Sequence, residues 1–458
     1  MKGKSKRIAA ALLCLCLLAG TTACGEEKPE KSAYQQGMEA LEKKDYVTAY
    51  KQLKESKDRR AAQVLEKFRF VPVKYTSKQS NGRDNATTYT YDENGNLVRE
   101  ERIGTDGSRL VECTYSGNKL ITRKTQQRAG DTTTQVYVYD AKGNLTMVRY
   151  LNRNGDWLGQ TIYTYDEQGR CLSEEKAMME EASELTPQLN YTRYHTYDSE
   201  GRVLTQTDTY YYEGEIEEKS TLYYTYEEDG SYCEVWISEV AYHNDPKLTQ
   251  TTYYDAKGKE LRGESQYEDE TEPYYVFEYR YNDRGDVEYD HHRYFAEEEV
   301  TLYTYDEAGN LLEQETTTLE GEQTYFACNT YDERGNRLTH ELADVKANFW
   351  CKIVCTYDAE NRLLTQKRDD KNGWESTTNT YNDQGQLEKE EMEGEHSSHT
   401  KTFTYDPWGN VIASFQYHVN DGSEVASEQA TQWELRYYPE GVPEDVQAAM
   451  DRATITGS

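Results

Sequence analysis

The chain has 458 residues, a formal charge of -32 and a mean hydropathy of -1.02, room enough for two or three ordinary domains or one long repeat array. A body this acidic is repelled by nucleic acid and by anionic headgroups, which excludes phosphate polymers as natural partners. Forty-two tyrosines against 8 phenylalanines and 8 prolines exclude both a thick aliphatic core and a disordered chain, and leave a mostly β protein built of thin layers.

At the N-terminus, Lys2, Lys4, Lys6 and Arg7 precede an apolar run from Ile8 to Ala23. Sixteen residues are too few to span a bilayer as a mature helix, so residues 1–23 read as a signal peptide. The segment Leu18-Ala19-Gly20-Thr21-Thr22-Ala23-Cys24-Gly25 resembles the lipobox of bacterial lipoproteins, with Thr21 where an aliphatic residue is usual. That resemblance implies lipid attachment at Cys24, a polar tether over 24–32 and an extracytoplasmic body, on the cell surface or the periplasmic face. Firm anchoring takes more than a single short acyl chain.

Residues 33–68 change to helical periodicity, with Gly37, Ala40, Leu41, Tyr46, Ala49 and Leu53 in helix-pair spacing and a break at Lys43-Lys44-Asp45. The pattern resembles one tetratricopeptide-type hairpin. A single such unit buries too little to stand alone, so it is expected to cap the β-array or pack against it.

From 75 to 415 one phrase recurs, Tyr-Asp-x-x-Gly-Asn/Arg-Leu. Clear copies begin at Tyr91, Tyr139, Tyr305 and Tyr331; weaker ones at Tyr165, Tyr197, Tyr226, Tyr254, Tyr281, Tyr357, Tyr381 and Tyr405; Tyr115 opens a shortened one. Thirteen units at intervals of 24 to 32 residues are the signature of a repeat architecture. Asp in the phrase suits a turn backbone and Gly a left-handed φ, so each copy predicts a hairpin turn. Upstream, Tyr89-Thr90-Tyr91 and Tyr303-Thr304-Tyr305 put both tyrosines on one face of a strand. Leu97, Leu145 and Leu311 open the returning strands.

These phrases resemble the YD repeats of the Rhs family of bacterial surface and secreted proteins, over about three quarters of the chain. The resemblance implies about 13 β-hairpins in a long coiled or open-shell sheet. Tyr405-Asp406-Pro407-Trp408-Gly409-Asn410 is similar to the phrase near the end of Rhs cores, but residues 416–458, read as a cap with a final strand and a short helix over Glu444 to Arg452, are too few for a toxin domain.

No catalytic, cofactor-binding or metal-binding residue is expected. Asp92, Asp140, Asp166, Asp198, Asp255, Asp306, Asp332, Asp358 and Asp406 share one turn position, and a catalytic group would not recur in every structural unit. His291-His292 and His396-x-x-His399 lack the partners that specify zinc and read as surface groups. Cys113, Cys171, Cys233, Cys328, Cys351 and Cys355 leave disulfide pairing open. The expected function is non-enzymatic: a binding or scaffold module, held to the membrane by its lipid, whose tyrosines meet a surface protein or a carbohydrate. A cargo-less relative of Rhs-type toxins is the third reading.

Overall fold

The computed structural model describes residues 31–454 except 106, 128, 129, 180–187, 241–245 and 421. The signal peptide and Cys24 lie outside the described residues. The chain divides into a helical unit ending at Phe68 and a β unit from Arg69 onward.

In the helical unit, α1 (Ala33–Glu42) begins with a reciprocal capping box between Ser32 and Gln35, which satisfies backbone N–H groups that the first turn leaves without partners. Asp45 and Asp58 cap α2 (Tyr46–Glu55) and α3 (Arg59–Leu65) through their side-chain carboxylates. Ala49 and Leu53 are fully buried, and a Cβ on Gly37 would stand 2.7 Å from Leu53 Cγ, so the close crossing of α1 on α2 requires glycine there. Tyr46 and Tyr50 meet the Phe68 ring edge-on.

The described residues of the β unit form one antiparallel sheet of 28 strands, from β1 (Phe68–Gln79) to β28 (Ser423–Tyr437), in which each strand pairs with its sequence neighbours. β1 pairs with both β2 (Asn85–Tyr91) and β28. This last pairing corrects the expected architecture. A coiled or open-shell array of hairpins would keep two free edges; here the sheet closes on itself as a barrel, so no terminal edge offers unpaired N–H and C=O groups. The helical content of the described residues is four short helices, three before the barrel and α4 (Glu444–Ala453) after it.

Each Tyr-Asp phrase ends one strand and starts the next. In the turn at Asp92, Oδ1 accepts from the backbone N–H of Asn94 (2.8 Å) and Asn96 (2.9 Å), and Oδ2 accepts from Asn96 Nδ2 (2.9 Å). Gly95 sits at φ 87, where a side chain would be strained. The residue four places after the aspartate is therefore its partner: Asn144 serves Asp140, and Arg362 serves Asp358 at 2.6 Å.

The tyrosine of the phrase links one hairpin to the one before it. Twelve of the thirteen phrase tyrosines donate their hydroxyl to a backbone carbonyl near the start of a strand in the preceding hairpin, at 2.6 to 3.2 Å. Tyr254 instead stacks on Tyr232 at 4.5 Å. Cations from one turn lie over the tyrosine of the next, as Arg170 does over Tyr197 (4.7 Å) and Arg202 over Tyr226 (4.3 Å). The opposite face at the same strand ends carries paired hydroxyls, Thr164 of Tyr163-Thr164-Tyr165 with Ser173, Thr330 with Thr339 and Thr356 with Thr365.

A buried hydrophobic cluster lies near the barrel's closure. Val71, Tyr89, Leu97, Tyr438, Val446, Ala449 and Ala453 form one buried cluster, so α4 packs on the tyrosine-bearing face of the first strands. Tyr438 donates to the Gly95 carbonyl at 3.1 Å, and Arg436 donates to Asp92 O at 2.8 Å while lying 5.1 Å from the Tyr91 ring. Thr431, fully buried, donates to Ala453 O at 2.7 Å.

Candidate functional site

Among the described residues, the most extensive run of ring contacts lies on β15 (Glu260–Tyr267), β16 (Tyr275–Tyr281), β17 (Val287–Tyr294) and β18 (Glu297–Tyr305), where the aromatics gather into one cluster. Its centre is on the ladder face. Tyr275, Phe277 and Tyr279 alternate along β16, and His292 lies opposite Phe277 with its ring 5.7 Å from that of Tyr275. Phe277 has room because Gly263 faces it; a Cβ there would collide with Phe277 Cε1 and stand 2.7 Å from Thr251 O.

Polar groups thread this centre. Tyr275 Oη is 2.7 Å from His292 Nδ1, and Tyr279 Oη is 3.4 Å from Nε2. Asp290, directly opposite Tyr279, brings Oδ1 to 2.7 Å from Nε2. Burial pushes the Asp290 carboxyl above the ordinary carboxylate range, against the pull of the two histidines. Burial also pushes the phenols of Tyr279 and Tyr303 up to about 12, with the nearby Asp290 charge adding to it.

The cluster continues to the hairpin tip between β17 and β18. Tyr274 stacks on Tyr267 at 5.0 Å, and its ring meets Phe295 at 5.6 Å and Tyr294 at 6.1 Å. Tyr294 and Phe295 are each 57% exposed. Phe295 also holds φ at 53, a left-handed conformation that costs a bulky L-residue about 1 kcal/mol and that asparagine or glycine adopts more readily. A large apolar ring is thus displayed to solvent at a position whose backbone disfavours it. Glu297, Glu298 and Glu299 come directly after this tip, with Lys346 bridging Glu297 and Glu299.

The turn aspartates hold turns, as their recurring position in the phrase predicts. His291 and His292 fall on opposite faces, and neither stands free at the surface: His291 Nε2 lies 2.7 Å from Glu298. His399 pairs with Glu390 at 2.9 Å, and His396 lies at a hairpin tip away from it. The six cysteines of the described residues are free thiols, with Cys351 and Cys355 buried on one face of β22 (Phe349–Tyr357). Among the described residues, no three His, Cys, Asp or Glu side chains converge as a metal site. Sequence reasoning missed Asp290 and the Tyr294-Phe295 tip. The available signal was the run Tyr274-Tyr275-Val276-Phe277-Glu278-Tyr279, denser in aromatics than the other strands.

No family model matches the chain, and no curated protein matches it. Among solved structures, it is similar to TcdB2-TccC3-TEV at 12% identity and a TM-score of 0.22, over 79% of this chain and 26% of that one. The chain thus spans about a quarter of that protein's length. Porin-like proteins from Bacteroides uniformis and Bacteroides vulgatus align at 11% and 12% identity with TM-scores of 0.20 and 0.15, covering 54% and 58% of this chain and 94% and 100% of theirs. At these scores the likenesses carry no functional argument; what stands is the closed β-barrel itself.

Proposed function

We propose that this chain is a non-enzymatic binding or scaffold module of the YD-repeat type: a β-barrel held outside the cytoplasm by a lipid on Cys24, presenting the Tyr274, Tyr294 and Phe295 rim to a protein partner. The carrying observation is the exposure of Tyr294 and Phe295 together with the left-handed backbone of Phe295. Backbone strain at an exposed aromatic is a cost the fold alone does not require, and rigid aromatic anchors are what recognition surfaces use. The exposed strand faces also carry ion pairs such as Lys352 with Glu341, both half-exposed, which suits a barrel in water better than one whose strands face lipid.

The test is titration of the full chain and its Phe295→Asn variant against surface-protein extracts resolved by cross-linking, and against arrays of wall polymers and glycans. Saturable protein binding that the substitution abolishes supports the reading. Saturable glycan binding lost on the same substitution would replace it with a carbohydrate-binding role, and binding indifferent to Phe295 would remove the rim from the account. Labelling with a radioactive fatty acid, lost in Cys24→Ser, tests the anchor separately.

A further inference from the structure

We propose that Asp290, His292, Tyr279 and Tyr303 form a binding site for a ferric ion.

Four donors from three adjacent strands share one face of the sheet. Tyr279 and Asp290 are directly paired, His292 lies two residues beyond Asp290, and Tyr303 lies two residues beyond Thr301, the partner of Asp290 on β18. Strand ladders fix these positions, which places a site more firmly than loops would.

The second argument is an unmet bonding demand. The Asp290 Oδ1 atom is buried and has no hydrogen-bond partner, although His292 Nε2 is 2.7 Å away. The approach has the distance of a hydrogen bond without its direction. Tyr275 Oη takes the other ring nitrogen at 2.7 Å and Tyr279 Oη lies 3.4 Å from Nε2, so the ring is held by two phenols and leaves Asp290 Oδ1 unbonded beside it. A buried carboxylate oxygen with no hydrogen bond is stabilised by positive charge beside it. An ion seated among the donors supplies that charge to all of them.

Spacing agrees. Ligands about 2 Å from an octahedral ion lie roughly 3 Å from one another. Here Nε2 to Oδ1 is 2.7 Å and Nε2 to Tyr279 Oη is 3.4 Å, and the strand register brings Tyr303 onto the same face beside them. The donor set names the ion. Two phenolates and a carboxylate are hard and carry three negative charges, the imidazole accepts iron, and the set contains no thiolate to select a soft metal. Binding displaces the two phenolic protons and any proton held between Asp290 and His292. Iron enters as Fe(III) and leaves as Fe(III), with no electron transferred.

The repeat supplies its own control. At the equivalent positions of other hairpins an acid also faces a tyrosine, Glu174 opposite Tyr163 and Glu234 opposite Tyr224, but the residue two places on is Lys176 or Trp236. Of these three pairs, only the one on β17 adds an imidazole to the acid and the phenol.

The experiment uses the full chain carrying Cys24→Ser, loaded with ferric citrate and desalted. The expected result is about one iron per chain by elemental analysis, with a visible phenolate-to-iron charge-transfer band. Tyr279→Phe, which is isosteric, removes most of that band and lowers iron affinity at least tenfold; His292→Gln lowers affinity similarly; Tyr331→Phe, on a distant turn, changes neither. Folding of each variant is checked by circular dichroism, and Tyr303→Phe replaces any variant that fails it. Folded protein that retains no iron, iron retained equally by Tyr279→Phe, or preferential retention of zinc or copper overturns the assignment.

Discussion

The Arg452 guanidinium on α4 donates to the Glu100 carboxylate of β3 (Leu97–Gly104) at 2.8 Å, joining residues 352 apart in sequence. The Glu100 side chain is 8% exposed and has Arg109 as a more distant second cation at 3.8 Å. Arg452→Met leaves a buried carboxylate with a single weak partner, and the expected loss is about 1–2 kcal/mol, moderated because Arg452 itself is half-exposed. Urea unfolding checks the size. Because the pair sits at the barrel's closure, protease should cut first near β1 and β28 in the variant; cleavage unchanged from the wild type would separate this ion pair from closure.

The tyrosine ladder predicts a uniform effect. Tyr331→Phe keeps the ring and removes only the hydroxyl bond to Leu311 O, 3.1 Å in the native chain, so stability should fall by about 1 kcal/mol. Tyr254→Phe, at the one phrase whose tyrosine stacks on Tyr232 instead, should cost less, and equal losses in urea titrations would show that the ladder bond is not what the hydroxyl contributes.

Phe277 depends on the space left by Gly263. Gly263→Ala should destabilise by about 1–3 kcal/mol through overpacking, and should disturb the ring of His292 beside it. Thermal unfolding gives the first number and the His292 NMR signals report the second; an unmoved imidazole would mean that Phe277 yields without transmitting the strain.

Acid and alkali should act through different groups. Hydrogen bonds from the backbone and from Asn144, Asn310 and Asn336 hold Asp140, Asp306 and Asp332 below the ordinary value of 3.8. A depressed folded pKa gives stability that is present above the unfolded pKa and lost as pH falls through the folded one, so the barrel should weaken below about pH 4. Burial raises Tyr224, Tyr254, Tyr279 and Tyr303 from 10.0 to about 12. A raised pKa gives stability present below the unfolded value and lost as pH rises, so a second loss should run from about pH 10 to 12. Phenolate absorbance should lag a free-tyrosine titration and then rise together with loss of β-structure; simple titration centred near pH 10 would contradict the burial.

Phe295→Asn removes the exposed ring and relieves the left-handed backbone. Stability should be unchanged or raised by up to about 1 kcal/mol while partner binding is lost. A fall in melting temperature would mean that Phe295 serves the fold through Tyr274 rather than a partner.

The sequence by itself determined where the chain turns and which residues face together. Asp92 and Gly95 act within five residues of one another, and the alternation of Tyr89, Thr90 and Tyr91 follows from strand geometry alone. Even so, the role of Asn96 and Arg362, partners of the turn aspartates four places before them, was legible only as a preference for two residue types. Tertiary structure decided the rest. Whether hairpins open into a coil or close into a barrel depends on small twists summed over 28 strands, and no single phrase encodes that sum. Closure then rests on contacts such as Arg436 to Asp92, 344 residues apart, which periodicity cannot foresee. The placing of Tyr279, Asp290, His292 and Tyr303 on one face is equally non-local, because it needs the register of β16, β17 and β18.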